Sequence, residues 1–156
     1  MLVTTLNKIK AHSPCTSGWQ KLLKSLGKTK ADDEELSFLY ILESNGLDDA
    51  LWCCRSAPEY DMEWRSFALQ CCRQIEHLMT DQRSKDCLDV VEKFLGGKAT
   101  EEELNAASYA AWAAAWDAAR AASWDAASDA ASYAARAAAR NAARAAQLII
   151  FKQIVS

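Results

Sequence analysis

The chain has 156 residues, of which 51% are apolar and 25% are charged, and its formal net charge is -3. This length is enough to bury the core of one ordinary domain, and this composition excludes wholesale disorder. The slight excess of acids argues against a general affinity for nucleic acid or for anionic membranes.

The first ten residues lack the apolar core of an export signal, and no uninterrupted apolar segment is long enough to cross a bilayer. We therefore expect a cytoplasmic protein. Six cysteines are present, and four of them form the adjacent pairs Cys53/Cys54 and Cys71/Cys72. In a chain of this length in a reducing compartment, we expect them to be thiols rather than disulfides.

Charge is distributed unevenly along the chain. Residues 1–30 carry six lysines and no acid, whereas residues 32–49, here called the acidic segment, carry seven acids and no base. An acidic segment of this kind is a candidate contact surface for a partner.

Short amphipathic helices are predicted over the first part of the chain. Residues 17–20 read Ser-Gly-Trp-Gln, which matches a capping box, and Gly27 stands where a carboxyl-terminal cap belongs. A second helix is predicted to open at the acids 32–35 and to close at Asn45-Gly46. A third is predicted to follow directly. The apolar faces are Trp19, Leu22, Leu23 and Leu26, then Leu36, Leu39 and Tyr40, then Leu47, Ala50, Leu51 and Cys54.

Two longer helices are predicted next. The first follows Pro58 and the second follows the Thr80-Asp81 corner, with Gly96-Gly97 as its stop. Their helically spaced apolar positions are Trp64, Phe67, Ala68, Cys71, Ile75 and Leu78, then Cys87, Val90, Val91, Phe94 and Leu95.

An alanine tract then extends to the end of the chain. Residues 100–103 read Thr-Glu-Glu-Glu, a second capping box that places acids at the positive end of the helix it starts. No Gly or Pro occurs after Gly97, and alanine is the best helix former, so helix is predicted to about Val155.

Alanine occupies every fourth position of the tract from Ala106 to Ala146. Because a repeat of four overshoots a helical turn by roughly 40°, this ribbon of alanines winds around the helix and needs neighbours around its circumference. Two alternatives follow. Either the tract breaks near residues 123–129, where Ser and Asp cluster, and forms an antiparallel hairpin, or it is one long helix buried by neighbours or by a second subunit.

The predicted fold is therefore all-α, a bundle of short amphipathic helices packed on a long, bent or hairpinned alanine-rich helix. We expect a single domain over residues 1–156, with the short helices in 1–97 and the alanine-rich tract in 98–156.

The larger side chains of the tract are the candidate binding residues. They follow two spirals between the alanines, and the candidate site comprises Tyr109, Trp112, Trp116, Asp117, Arg120, Trp124, Arg136, Arg140 and Arg144. Two alternatives are open for the tryptophans. They fill the space that alanine leaves against the amino-terminal helices, or they form an aromatic and arginine wall for a partner protein or a planar ligand.

Two pairings within this site follow from helical spacing. Arg120 follows Trp116 by four residues and Asp117 by three, so it could be held by a carboxylate while stacking on an indole. Arg136, Arg140 and Arg144 repel one another at four-residue spacing. They form either a solvated face near a helix end or a site for a phosphate or an acidic surface.

No motif of a known reaction is present. Residues 96–100 lack the first glycine of a phosphate-binding loop, and Ser25 and Lys28 have the Ser-x-x-Lys spacing of acylating enzymes without its companion motifs. Adjacent cysteines and two isolated histidines do not have zinc-ligand spacing. We expect no enzyme activity, no cofactor and no metal.

From residue 61 onward the chain resembles a known group of proteins. The segments that carry the resemblance are "MEWRSFALQCCRQIEHLM", "TDQRS", "CLDVVEKFLGGKATEEELNAA" and the tryptophan-rich alanine tract. Together, over residues 61–146, they resemble alanine-rich helical proteins of phages, prophages and bacterial genomes that are related to an immunity-protein family. The segments "LNKIKAHSPCTSGWQKLL" and "ESNGLDDALW" resemble the phage-borne members.

The resemblance implies an all-helical, non-enzymatic protein that occupies a partner, such as a toxin or a component of host defence. We expect the contact to involve one exposed stripe of the tract together with the acidic segment. Two other functions remain open: sequestration of a nucleotide-like ligand by the tryptophans and arginines, and a structural role in a homo-oligomer.

Overall fold

A computed structural model describes the backbone of residues 1–125 and 130–156, and the side chains of residues 1–117 and 143–156. The described residues form eight α-helices, three short 3-10 turns and one two-stranded sheet, which confirms the all-α fold. Over these residues, no helix is both long enough and apolar enough to traverse a bilayer. The elements are β1 (Val3–Thr4), α1 (Leu6–Ala11), α2 (Thr16–Ser25), β2 (Leu36–Ser37), α3 (Phe38–Asn45), α4 (Leu47–Cys53), α5 (Asp61–Ile75), α6 (Gln82–Leu95), α7 (Glu101–Asp125) and α8 (Ala130–Val155); the turns are Cys54–Ser56, Pro58–Tyr60 and Glu76–Leu78.

The chain divides into two compact units. Unit 1 comprises Met1–Trp64 and Phe151–Ser156, and unit 2 comprises Arg65–Ile150. That the 156 residues make a single domain stays a prediction.

An aromatic cluster lies at the centre of unit 1. Phe38 and Phe151 are fully buried, and Trp64 contacts both, at ring-centroid distances of 5.0 Å and 6.3 Å respectively. The indole nitrogen of Trp64 donates to the carbonyl of Ala57 at 3.0 Å, so the polar end of this side chain is satisfied. The carboxyl-terminal end of α8 is therefore part of the core of this unit.

The small sheet joins the amino-terminal segment to this core. Strand β1 pairs with β2 in antiparallel register, and the amide of Leu2 donates to the carbonyl of Val155 at 3.1 Å. Helix α1 follows β1 and is capped by Thr5, whose hydroxyl accepts from the amide of Lys8 at 3.2 Å. Neither this sheet nor α1 was predicted, because segments of two and six residues are too short to show a periodic pattern of apolar residues.

Two predicted helix starts are wrong. Helix α2 is capped by the thiol of Cys15, which accepts from the amide of Gly18 at 3.4 Å, and the predicted cap Ser17 lies inside the helix. Helix α3 begins at Phe38 with Ser37 as its cap, and not at the acids 32–35. The preceding residue Leu36 is committed to β2, so the helix cannot begin earlier.

The predicted ends of α2, α3 and α6 are confirmed, whereas α5 ends at Ile75 and the predicted helical position Leu78 lies in the following 3-10 turn. Gly27 and Gly97 have φ angles of 65° and 68°, a region that favours glycine, and α3 ends at Asn45 before Gly46. At the start of α7, Thr100 Oγ1 accepts from the amide of Glu103, and the amide of Thr100 donates to the Glu103 carboxylate. Both halves of the predicted capping box are therefore formed.

Unit 2 contains α5 from Arg65 onward, α6, α7 and the part of α8 up to Ile150. Arg73 of α5 binds Glu76 and reaches Asp89 and Glu92 of α6 at 2.8 Å and 2.6 Å. In α6 only Leu88 is fully buried, whereas the predicted inward positions such as Val90 and Phe94 are half-buried. All five predicted inward positions are at least half-buried, so the predicted face of α6 is confirmed, and it also includes Leu88.

The alanine tract contains two described helices. Helix α7 ends at Asp125, α8 begins at Ala130, and α8 ends at Val155, where the end of the helix was predicted. The predicted break over residues 123–129 falls mainly on residues 126–129, which lie outside the described residues. The choice between a hairpin and one long helix therefore stays a prediction.

Candidate functional site

Helix α7 packs along α6 through small side chains. The connection between them is residues 96–100, and Arg83 in the first turn of α6 reaches Asp117 far along α7, so the two helices are antiparallel. On α7, Leu104 and Ala114 are buried, and Ala107 and Ala111 between them are half-buried. The small methyl side chains of the three alanines allow close approach of two helix backbones.

The opposite face of α7 carries three large aromatic side chains. Tyr109, Trp112 and Trp116 follow at spacings of three and four residues and are 74%, 64% and 54% exposed. At 100° per residue, the mean direction of these three lies roughly 150° around the helix from the mean direction of the buried positions Leu104 and Ala114. We call these three residues the aromatic face.

The two indoles of the aromatic face support each other. The ring centroids of Trp112 and Trp116 lie 5.7 Å apart at an interplanar angle of 71°. This edge-to-face arrangement is a favoured geometry for aromatic pairs, so each indole limits the rotation of the other.

A charged bridge lies next to the aromatic face. Arg83 donates to Asp117 at 2.9 Å and forms two hydrogen bonds with Asp81, at 3.0 Å and 2.7 Å. The bond from Arg83 lowers the pKa of Asp81, and the two carboxylates raise the pKa of the Arg83 guanidinium. This bridge holds the residue after Trp116 against the start of α6, which fixes the position of this end of the aromatic face.

The structure describes four of the predicted site residues together and one apart from them. Tyr109, Trp112, Trp116 and Asp117 are all on one section of α7, and Arg144 lies exposed on α8. The side chains of the remaining predicted site residues lie outside the described part of the chain; they are Arg120 and Trp124 on α7, and Arg136 and Arg140 on α8.

More than half of Trp112 and of Trp116 is exposed in the described part of the chain, which favours an aromatic wall over a packing role. The choice between the two alternatives for the tryptophans stays a prediction. Sequence reasoning did not find Arg83 as the partner of Asp117, because 34 residues separate them and no local spacing connects them.

The acidic segment is partly neutralised within unit 1. Lys28 forms ion pairs with Asp32 and Glu34, both at 2.6 Å, and these bonds raise the pKa of the lysine. Asp33, Glu35 and Glu43 remain exposed.

All six cysteines are free thiols, as predicted. Burial raises the pKa of Cys53 and of Cys54 to about 12, and it also raises the pKa of Cys71 and Cys72. These four thiols are therefore poor nucleophiles near neutral pH. Over the described residues, no group of three or more His, Cys, Asp or Glu side chains is arranged to hold a metal ion.

Comparison with known proteins finds no counterpart: no protein-family model, no curated protein and no solved structure matches the chain.

Proposed function

We propose that this chain is a non-enzymatic binding protein that holds a partner protein on the aromatic face of α7. The observation that carries the proposal is the exposure of three neighbouring aromatic side chains opposite the helix's packed side.

The size of the aromatic face is appropriate for the centre of an interface. A fully covered aromatic side chain buries about 150–250 Å², so the exposed parts of Tyr109, Trp112 and Trp116 offer on the order of 400 Å². Exposed apolar patches of this size on a monomer are often functional, and a standard interface buries about 800 Å² on each side. The aromatic face therefore supplies about half of one side of such an interface, with polar neighbours as its rim.

The residue types and their restraint also favour protein binding. Trp and Tyr dominate the binding energy of many interfaces because they cover a large area and have few rotatable bonds. The edge-to-face contact of Trp112 with Trp116, and the bridge between Arg83 and Asp117, restrict this region before a partner arrives. Less conformational entropy is then lost on binding.

A small-molecule ligand fits the aromatic face less well. Pockets for small ligands are concave and cover most of the ligand, whereas these three side chains project from one convex helix surface and are more than half exposed. Sequestration of a nucleotide-like ligand would need the arginines of the tract to complete a pocket. Self-association through the aromatic face would bury the same surface and is separated from partner binding by the experiment below.

The resemblance to alanine-rich phage proteins indicates where to look for the partner. We propose a toxin or a component of bacterial defence, which this chain would neutralise by occupying it. Bacterial lysate with and without phage infection is therefore the source of candidate partners.

The test is affinity capture with three versions of the full chain: the unchanged protein, Trp112→Ala/Trp116→Ala, and the control Gln20→Ala/Lys24→Ala. Gln20 and Lys24 are exposed on α2, and so they are not on the helix that carries the aromatic face. Circular dichroism and thermal melting of each version verify folding, and analytical ultracentrifugation over a wide concentration range measures self-association.

We expect one bacterial protein to be recovered in stoichiometric amount with the unchanged protein and with the control, and to be lost from the tryptophan variant. Equal recovery with the tryptophan variant, or no stoichiometric partner from either lysate, would contradict the proposal. If the unchanged protein dimerises and the tryptophan variant does not, the partner on the aromatic face is a second copy of the chain and not another protein.

A further inference from the structure

Unit 1 contains a cavity of about 200 Å³ that is lined by residues other than those of the aromatic face. The floor of the cavity is apolar and consists of four buried side chains, those of Ile9, Leu22, Ile41 and Cys53. Trp19 and Trp52 form part of its wall, and both are half-buried. A cavity of roughly 150 Å³ lined by apolar groups holds a benzene molecule, so this one has room for an aromatic ring with a short side chain.

The polar lining of this cavity is acidic. Asp48 and Asp49, in the first turn of α4, both line it, and none of its lining residues is basic. Two nearby cations contact lining residues: Lys21 donates to the Asn45 carbonyl at 3.2 Å, and Arg55 donates to the Trp52 carbonyl at 2.8 Å and lies 4.4 Å from the centroid of the Trp52 ring.

Asp49 is held in place at the cavity without a cationic partner. Its Oδ2 accepts from the side-chain amide of Asn45 at 2.8 Å, and that same amide donates to the carbonyl of Gly18 at 2.9 Å. Within the described part of the chain, no lysine, arginine or histidine forms an ion pair with Asp49. A half-buried carboxylate that one neutral amide orients is well placed to accept a charge-assisted hydrogen bond from a ligand.

Gly18 is required for this arrangement. A Cβ at this position would lie 2.8 Å from Oδ2 of Asp49 and 3.1 Å from the sulfur of Cys15. Glycine inside a helix costs about 1 kcal/mol relative to alanine, and here its missing side chain makes space for the carboxylate. Gly18 therefore lowers the stability of α2 and, in return, leaves room for the Asp49 carboxylate at the cavity.

We propose that this cavity binds a small organic cation, namely a protonated primary amine on an aromatic body of about the size of a phenyl ring. The ammonium group would pair with Asp49, and the body would lie on the apolar floor between the indoles of Trp19 and Trp52. Indoles favour a nearby cation, as the Arg55 guanidinium over the Trp52 ring illustrates, so the wall and the carboxylate select the same charge. This proposal stands on different residues from those of the partner-binding proposal.

The test uses three ligands of one shape and different charge: phenethylamine, 2-phenylethanol and 3-phenylpropionate. Each is titrated into the full chain up to about 10 mM, and the indole N–H signals of Trp19 and Trp52 are followed by NMR. Protection of the exposed thiol of Cys15, which also lines the cavity, from alkylation is a second measure of occupancy.

We expect saturable shifts of both indole signals with phenethylamine, and binding of 3-phenylpropionate at least about tenfold weaker. Asp49→Asn keeps an acceptor for the Asn45 amide and should weaken the binding of phenethylamine by about tenfold. The exposed control Asp33→Asn should leave the affinity for phenethylamine unchanged. If Asp49→Asn fails to fold, the comparison of the three ligands on the unchanged chain still tests the proposal. Equal binding of the amine and the acid, no saturable binding of the amine, or unchanged amine affinity in a folded Asp49→Asn would overturn the proposal.

Discussion

Replacing Ala114 by leucine tests whether alanine on α7 is a spacer for close helix packing. Ala114 is 2% exposed, and leucine would add an isopropyl group to a position that has no free surface. Overpacking a well-packed site typically costs about 1–3 kcal/mol. We therefore expect the free energy of unfolding to fall by about 2 kcal/mol in Ala114→Leu.

The neighbouring Ala115 provides the matched control because it is exposed on the same helix. The intrinsic helix propensities of alanine and leucine are close, so Ala115→Leu should change the free energy of unfolding by less than about 0.5 kcal/mol. Urea denaturation followed by far-UV circular dichroism measures both variants. Equal effects at the two positions would refute the spacer argument, because the substitutions differ only in burial.

Three further variants test other parts of the structure. Phe151→Ala removes a fully buried ring from the core of unit 1 and should cost about 3–5 kcal/mol in urea denaturation, and a loss under 1 kcal/mol would contradict that core. Thr100→Ala breaks the capping box with Glu103 and should cost about 1 kcal/mol by the same measurement, whereas no change would show that this cap does not hold α7. Because folding raises the pKa of Cys53 from its ordinary 9.0 to about 12, the unfolded chain releases this proton first, and stability should fall as pH rises above about 9. At about pH 10 this thiol alone should account for a loss of about 1 kcal/mol, and Cys53→Ala should remove that part of the decline, so parallel pH profiles would contradict the burial of the thiol.

Local sequence signals predicted the helices of this chain well where they were long or clearly capped. Gly27, Gly97 and the pair Thr100/Glu103 define helix ends through contacts within a few residues, so the sequence alone contains the needed information. The sheet pairs Val3–Thr4 with Leu36–Ser37 across more than thirty residues, and no local pattern reports such a pairing.

The candidate site could be predicted only as a set of residues. Helical spacing placed Trp112 and Trp116 on one spiral and Tyr109 on the neighbouring spiral. Two alternatives remained for the tryptophans, because spacing does not say which side of a helix another helix covers. The burial of Leu104 and Ala114 on α7, which packs along α6, and the exposure of Trp112 and Trp116 favour the aromatic wall. The pairing of Arg83 with Asp117 depends on the antiparallel arrangement of α6 and α7, so local spacing could not predict it either.

The solvent accessibility of Trp112 and Trp116 in the free chain tests the central claim most directly. Their indole N–H signals can be assigned by Trp→Phe replacement and exposed to a soluble gadolinium chelate under conditions where the protein is monomeric. We expect strong paramagnetic broadening of both signals and little broadening of the signal of Trp64, whose indole nitrogen is bonded to Ala57. Protection of Trp112 and Trp116 to the same degree as Trp64 would contradict an open aromatic face.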